Sequence, residues 1–534
     1  MKRFVAAACA ATVALVGAAG AQAAPRVTGT AVVDFDHNLQ FPRNKQNEPS
    51  ITRDPVTGAL IVGANDEFSL SLCPGTTAPL ASPCPFTPGA PISAFYRSTD
   101  NGKTWSGGYL PAFDTIGRAS GGDPSLDTGP RRCADGRTFS WACGSTVYYA
   151  SLADPFPDFA GEQVTVSRSY DDGATWGAPV AATSTDNKSD FDDHEWIAVD
   201  KGAASPFFGR LYLFWADYCN TCAGNGGVKL FVASSGDEGR TWTKALQVSG
   251  AAFNLVQGQT ETGQIVVSGD GTVEAFWTAH ADSKGKFPST QVVVDSRDGG
   301  KTFSAPIPIE GVIDYPLTGT PFDVVDLFNR VPGMSARVDC YPHPAADPAS
   351  ARVFAVWCDF TGGVGTVRGA YSDDGVHWTS LGTVAQVPGR NVFFPAIDVS
   401  PRGLVVAGFD ALTAPPAGDP FQTGVQVYDY YVVQGGPGGF TAPLRVSPAS
   451  SNPEASGYNS LQEQFIGDYT DLAAGPTSSY LAWTDASNAA VCPAVSAYRS
   501  QVYARSKTAV APNPDLVCTT GFGNTDTVVA AVAN

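Results

Sequence analysis

Charged side chains are scarce: Asp, Glu, Lys and Arg make up 16% of the 534 residues, where about a quarter is usual. That scarcity excludes a coiled coil and a charge-rich disordered chain. Positive charge is the rarer sign, with 33 Lys and Arg against 51 Asp and Glu; the formal net charge of −18 becomes −20 without Lys2 and Arg3. An acidic surface repels phosphate backbones and anionic headgroups, so nucleic acid and membrane surfaces are excluded as partners. Beyond the N-terminal leader no run reaches the 18 or more apolar residues of a membrane span, and the apolar stretch 528–532 is far too short. No Gly-x-Ser-x-Gly elbow, phosphate loop, His-Glu-x-x-His motif or dinucleotide fingerprint stands in a fitting context. Those enzyme classes recede, and no cofactor is expected.

What is present points to a large all-β core. Hydrophobic residues make up 43% of the chain, with 30 Phe, 18 Tyr and 10 Trp, while 57 Gly and 40 Pro make it turn-rich without reaching low complexity. Residues 1–23 read as a secretory signal peptide: Lys2 and Arg3, an apolar run from Phe4, and Ala21-Gln22-Ala23 as the cleavage site. A secreted chain, extracellular or periplasmic, is therefore expected. Of eleven Cys, Cys9 leaves with the leader, and the remaining ten pair most simply by proximity: Cys73 with Cys84, Cys133 with Cys143, Cys219 with Cys222, Cys340 with Cys358, and Cys492 with Cys518. The Cys219/Cys222 spacing also suits a redox pair or half a zinc site, but no second Cys pair or His cluster accompanies it.

An octapeptide recurs along the chain. Its copies carry Ser98, Asp100, Gly102, Thr104 and Trp105; Ser169, Asp171, Gly173, Thr175 and Trp176; Ser235, Asp237, Gly239, Thr241 and Trp242; and Ser296, Asp298, Gly300, Thr302 and Phe303. A fifth copy, with Asp373, Gly375 and Trp378, has lost the Ser and Thr. In each, Asp bonds nearby backbone N–H groups, Gly accepts positive φ, and the aromatic ring tucks against the sheet, so the box joins two strands of a hairpin. Around the boxes a larger unit repeats, with starts near Glu48, Asp123, Glu195, Glu261, Arg337, Phe394 and Ile466, a period of roughly seventy residues.

Four antiparallel strands per unit, repeated radially, make a β-propeller. Seven blades are expected over residues 24–506. The seventh takes strands near 465–472, 479–484 and 501–505, and an N-terminal strand from Val27 closes the ring. The sixth unit lacks a box, so six blades plus an insertion is the alternative. Residues 507–534 read as a C-terminal tail tied back by Cys518. A monomer is expected.

The boxes resemble the Asp-box (BNR) repeats of the sialidase superfamily, and the resemblance covers most of the mature chain. It implies a Tyr nucleophile activated by Glu, an Asp acid/base, and three Arg that clamp a substrate carboxylate. Glu261 and Tyr469 are similar to the first two. The chain departs at the clamp: Asn47-Glu48-Pro49 stands where the family opens with Arg-Ile-Pro, and the strand after Glu261 ends Phe276-Trp277-Thr278 without the usual Arg. The resemblance is that of a divergent member lacking the arginine triad.

The starts of the innermost strands line the axis of a propeller. They carry Asn47 and Glu48, Asp123, Asp193 with His194 and Glu195, Glu261, Arg337, Arg390 with Asn391, and Asp468 with Tyr469. Paired carboxyls suit glycoside hydrolysis, one protonated and one ionised, so Glu261, Tyr469, Glu48, Asp123 and His194 are the candidate catalytic residues, and Arg337, Arg390 and Asp468 the substrate-binding ones. A glycan or polysaccharide is the expected substrate. Two other readings stay open: a lyase acting on uronic acids through His194, Arg337 and Tyr469, and a non-catalytic binding propeller whose strand-start carboxylates bond backbone N–H groups of neighbouring blades. The acidic stretch from Asp186 to Asp193 is either a solvated loop or a structural calcium site.

Overall fold

The computed structural model describes residues 24–34, 38–70, 92–155, 161–184, 190–219, 227–249, 263–280, 289–315, 329–413 and 426–534. Seven antiparallel sheets follow one another around a ring. The innermost strands are Gln46–Arg53, Arg118–Arg132, Asp190–Val199, Ile265–Val267, His343–Ala346, Val392–Val399 and Asp471–Ala474. Each is followed outward by its own blade's further strands. The sixth unit is a true blade, with Val405–Leu412 and Tyr428–Gly436 paired beside Val392–Val399. The six-bladed alternative is thereby set aside.

Closure departs from expectation in one respect. Arg26–Val32 does complete the seventh blade, as its outermost strand, but the third strand is Asp526–Ala533 rather than 501–505. The closing segment is therefore part of the ring and not a tail. Residues 501–503 end the helix Pro493–Tyr503, which opens with Pro at its first turn and buries Val495, Tyr498, Arg499 and Val502. That i, i+3, i+4, i+7 spacing makes one helical face, whereas Thr527–Val532 is β-branched and Ala-rich and is buried almost throughout as a strand.

The boxes act as anticipated. Asp100 accepts from the N–H groups of Lys103 and Thr104 and from the Thr104 hydroxyl, while Ser98 Oγ accepts from Gly102. Trp105, Trp176, Trp242, Phe303 and Trp378 each pack on a different core between blades. The fifth box is one residue shorter than read from sequence. Ser372 is its serine and Asp374 its turn carboxylate, accepting from the Ser372 hydroxyl, from the N–H groups of Val376 and His377 and from the His377 ring, while Asp373 pairs outward with Arg352.

Neighbouring blades are clasped by a set of side chains deeper in the inner strands than the expected strand-start acids. Asp127 accepts from Val199 N–H, Asp398 from Ala474 and Asp471 from Ile51, and the hydroxyls of Ser50 and Ser125 accept from Leu126 and Ile197. These contacts connect consecutive blades and bring equivalent residues to one level: Ile51, Leu126, Ile197, Ile397 and Leu472 form one tier. Three positions earlier, Glu48, Asp123, His194, Phe394 and Tyr469 form another. Four of these five have positive φ, from 46° to 54°, at a bulge where the inner strand's register shifts. Non-glycine residues in that conformation are uncommon and concentrate at functional sites.

Three of the five expected disulfides lie within the described residues: Cys133–Cys143, Cys340–Cys358 and Cys492–Cys518. Cys73, Cys84 and Cys222 fall outside them, and the side chain of Cys219 is not described. No helix among the described residues is long and apolar enough to cross a membrane.

Candidate functional site

The bulge tier turns acidic side chains from adjacent blades toward one another. The carboxyl groups of Glu48, Asp123 and Asp193 are hydrogen-bonded in series, one from each of the first three blades. Carboxyl–carboxyl hydrogen bonds require protons, and the surroundings favour them. Burial is the leading cause that pushes Glu48 up to about 8, with the charge of Asp468 adding to it and Arg337 opposing. Burial and the carboxylate of Glu48 raise Asp123 well above the usual range, and burial with Asp123 does the same for Asp193.

Asn65 holds this series in place. Its amide nitrogen donates to Glu48 Oε2 at 2.6 Å and to Asn47 Oδ1 at 2.9 Å, while its oxygen accepts from the Asp123 backbone at 2.8 Å. Gly122, with φ of 96°, makes room for it: a Cβ there would lie 2.4 Å from Asn65 Oδ1. A second carboxyl pair, Asp154 with Glu162, lies behind Gly121, where a Cβ would meet Glu162 at 3.0 Å. Burial lifts Asp154 to about 6 and raises Glu162 well above its ordinary value.

Near Glu48, Arg337 grips Asp468, its Nε donating to Oδ1 at 2.7 Å and its Nη2 to Oδ2. Arg337 is not at an inner-strand start as expected. It belongs to a two-stranded ribbon, Asn329–Arg330 with Arg337–Val338, ahead of the fifth blade, whose inner strand begins at His343. The rings of Phe465 and Tyr458 flank its guanidinium at 5.0 and 5.9 Å.

The floor is aromatic. His194 meets Tyr341 and Tyr469 edge-on, with centroids 5.0 and 5.5 Å apart, and Tyr469 meets Trp196 at 5.7 Å. Burial pushes His194 down to about 4, so its imidazole is neutral at pH 7. Burial also raises Tyr469 well above the usual phenol, and its hydroxyl donates to Pro124 O at 3.1 Å.

The structure thus brings Glu48, Asp123, His194, Asp468, Tyr469 and Arg337 together. Arg390 stands in a turn ahead of the sixth blade's inner strand, its N–H bonded to Val387 O, and its charge bears on Tyr431. Glu261 lies outside the described residues, as do residues 185–189 of the acidic stretch. From that stretch Asp192 is engaged by Thr183 Oγ1 and by Trp215 Nε1. Among the described residues no group of three or more His, Cys, Asp or Glu is arranged to hold a metal ion. Asn65, Tyr458 and the Asp154–Glu162 pair were not found from sequence. Asn65 ends a hydrophobic strand and Tyr458 sits in an irregular segment, so neither falls at a position the repeat marks.

No protein-family model and no curated protein matches the chain. Solved structures similar to it include an α-L-arabinofuranosidase from Fusarium graminearum in complex with an iminosugar inhibitor, at 11% identity over 95% of this chain and 97% of that one, with a TM-score of 0.41. A leech intramolecular trans-sialidase complexed with 2,7-anhydro-Neu5Ac is 13% identical over 72% and 67% of the two chains, with a TM-score of 0.39. An ulvan lyase bound to a GlcA(1-4)Rha3S glycan is 10% identical over 75% and 81%, with a TM-score of 0.41. At such identities the chemistry must be argued from this chain's own residues.

Proposed function

We propose that this chain is a secreted carbohydrate-active propeller of sialidase-like descent that hydrolyses a glycosidic bond in an extracellular glycan. The observation that carries the reading is the series Glu48, Asp123 and Asp193, a proton-holding carboxyl cluster at the axial end of three blades. A general acid for glycoside cleavage must be protonated at working pH, and burial places Glu48, at about 8, in that state near neutrality. Glu48 is the proton donor to the departing sugar oxygen; Asp123 and Asp193 hold and replenish that proton. Asp468, bound by Arg337, supplies the negative charge that an oxocarbenium-like transition state needs.

The charge balance bears on the substrate. Arg337 is already committed to Asp468, and the surrounding carboxyls would repel an anion, so a neutral sugar suits the site better than a sialic or uronic acid. The same commitment weakens the lyase reading, in which Arg337 would have to neutralise a uronate. The binding-propeller reading draws on the depth of the site: the side chains of Glu48, His194 and Tyr469 are 4% exposed or less.

The test is incubation of the purified protein with neutral, sialylated and uronic-acid glycans, following new reducing ends and ultraviolet absorbance together. Reducing ends from neutral glycans, without absorbance and lost in Glu48→Gln, are expected. Absorbance at an unsaturated product would transfer the assignment to the lyase. Binding without cleavage, unchanged in Glu48→Gln, would transfer it to the binding propeller.

A further inference from the structure

The axis has a second end. Past the tier of Tyr469 the ring encloses a cavity of about 570 Å³, open at the face opposite the carboxyl cluster and lined by the C-terminal halves of the inner strands. Its volume lies within the range typical of small-molecule sites. All seven blades contribute, and the wall is aliphatic: Ile51, Leu126, Ile197, Val266, Ile397 and Leu472.

The polar groups in this wall are mostly spent within the ring. Asp398 accepts from Val399 and Ala474, Asp471 from Leu472, Ile51 and Ser50, and Asp127 from Thr128, Val199 and Lys201. A sugar, which needs many hydroxyl partners, finds few here. Arg53 is the exception. It lines the cavity at the end of the first blade's inner strand, half-buried, with its guanidinium group lying against Gly58 and Gly475 and no carboxylate paired to it among the described residues. A half-buried guanidinium is a strong donor for a planar anion.

An aromatic group is delivered to the same mouth by an extension found in one blade. The second blade's first two strands, Arg118–Arg132 and Phe139–Pro155, are far longer than their counterparts, and Cys133–Cys143 staples their tip. That tip carries Trp141, which lines the cavity together with Trp196.

We propose that this channel is a binding site for an aromatic carboxylate, its ring system held between the aliphatic wall and the two Trp, and its carboxylate on Arg53. The site is separate from the carboxyl cluster, and the assignment stands whether or not the chain cleaves glycans.

The experiment is calorimetric titration of the full mature protein with 2-naphthoate and with its neutral counterpart 2-naphthylmethanol. One-to-one saturable binding of naphthoate is expected, at least tenfold tighter than the alcohol. Arg53→Gln should abolish that preference while leaving the alcohol's affinity unchanged. Val266→Trp, at a half-buried wall position, should remove binding of both. Absence of saturable naphthoate binding, equal affinity for the two probes, or a preference that survives Arg53→Gln would each overturn the proposal; so would undiminished binding in a folded Val266→Trp protein.

Discussion

Arg337 and Asp468, far apart in sequence, form a two-point ion pair, Nε to Oδ1 at 2.7 Å and Nη2 to Oδ2. It ties the ribbon before the fifth blade to the entry of the seventh and places a positive charge within reach of Glu48. Arg337→Gln would leave Asp468 buried without its counter-charge, and the expected loss is about 2–4 kcal/mol by urea denaturation. Arg337→Gln combined with Asp468→Asn should recover a large part of it. The two losses simply adding would show that the pair is not coupled.

Stability should fall as pH rises. Glu48 titrates near 4.5 in the unfolded chain and at about 8 in the folded one, so the folded state binds the extra proton. Its contribution is fully present below pH 4.5 and is lost progressively up to about pH 8. Asp471, raised by burial to about 7, acts in the same direction. The melting temperature of the wild type is expected to decline from pH 5 to 8, and Glu48→Gln should flatten that decline. A parallel slope in the variant would show that Glu48 is not the titrating group.

The fifth box gives a test of register. Asp374 accepts two backbone N–H groups and the His377 ring, whereas Asp373 makes an exposed ion pair with Arg352. Asp374→Ala should cost about 1–3 kcal/mol and Asp373→Ala about 0–1 kcal/mol. Chemical denaturation of the two variants decides between them, and the reverse order would restore the alignment read from sequence.

The disulfide Cys492–Cys518 closes a separation of 26 residues around the helix Pro493–Tyr503. Buried in that helix, Arg499 donates to the carbonyls of Leu461, Glu454 and Ser456, beneath the segment that carries Tyr458. Replacing both cysteines by Ser should lower stability by about 3 kcal/mol. Glycan cleavage should fall with it, while naphthoate binding at the far end of the axis persists.

The repeat made the propeller legible. An Asp, a Gly and an aromatic residue at fixed offsets dictate the same turn wherever they occur, because the hydrogen bonds lie within the eight residues themselves. The same locality explains the three disulfides recovered, each joining cysteines near in sequence. Elsewhere the local pattern is ambiguous. Residues 501–505 alternate well enough for a strand, but Pro493 and the buried face of Val495, Tyr498 and Val502 make the segment helical. Arg337 has the pattern of a strand start because it begins a strand of the two-stranded ribbon that precedes the fifth blade.

At the candidate site, residue types and their shared end of the ring followed from the sequence alone: once units start near Glu48, Asp123 and Glu195, the side chains at and just before those starts must gather at one axial end. Which carboxyls touch, which keep a proton and which cation is already committed were decided by the tertiary structure. Those properties depend on burial and on partners such as Asn65, Arg337 and Asp468 from separate parts of the chain. Desolvation and Coulomb interaction act through space, and no spacing along a sequence encodes them.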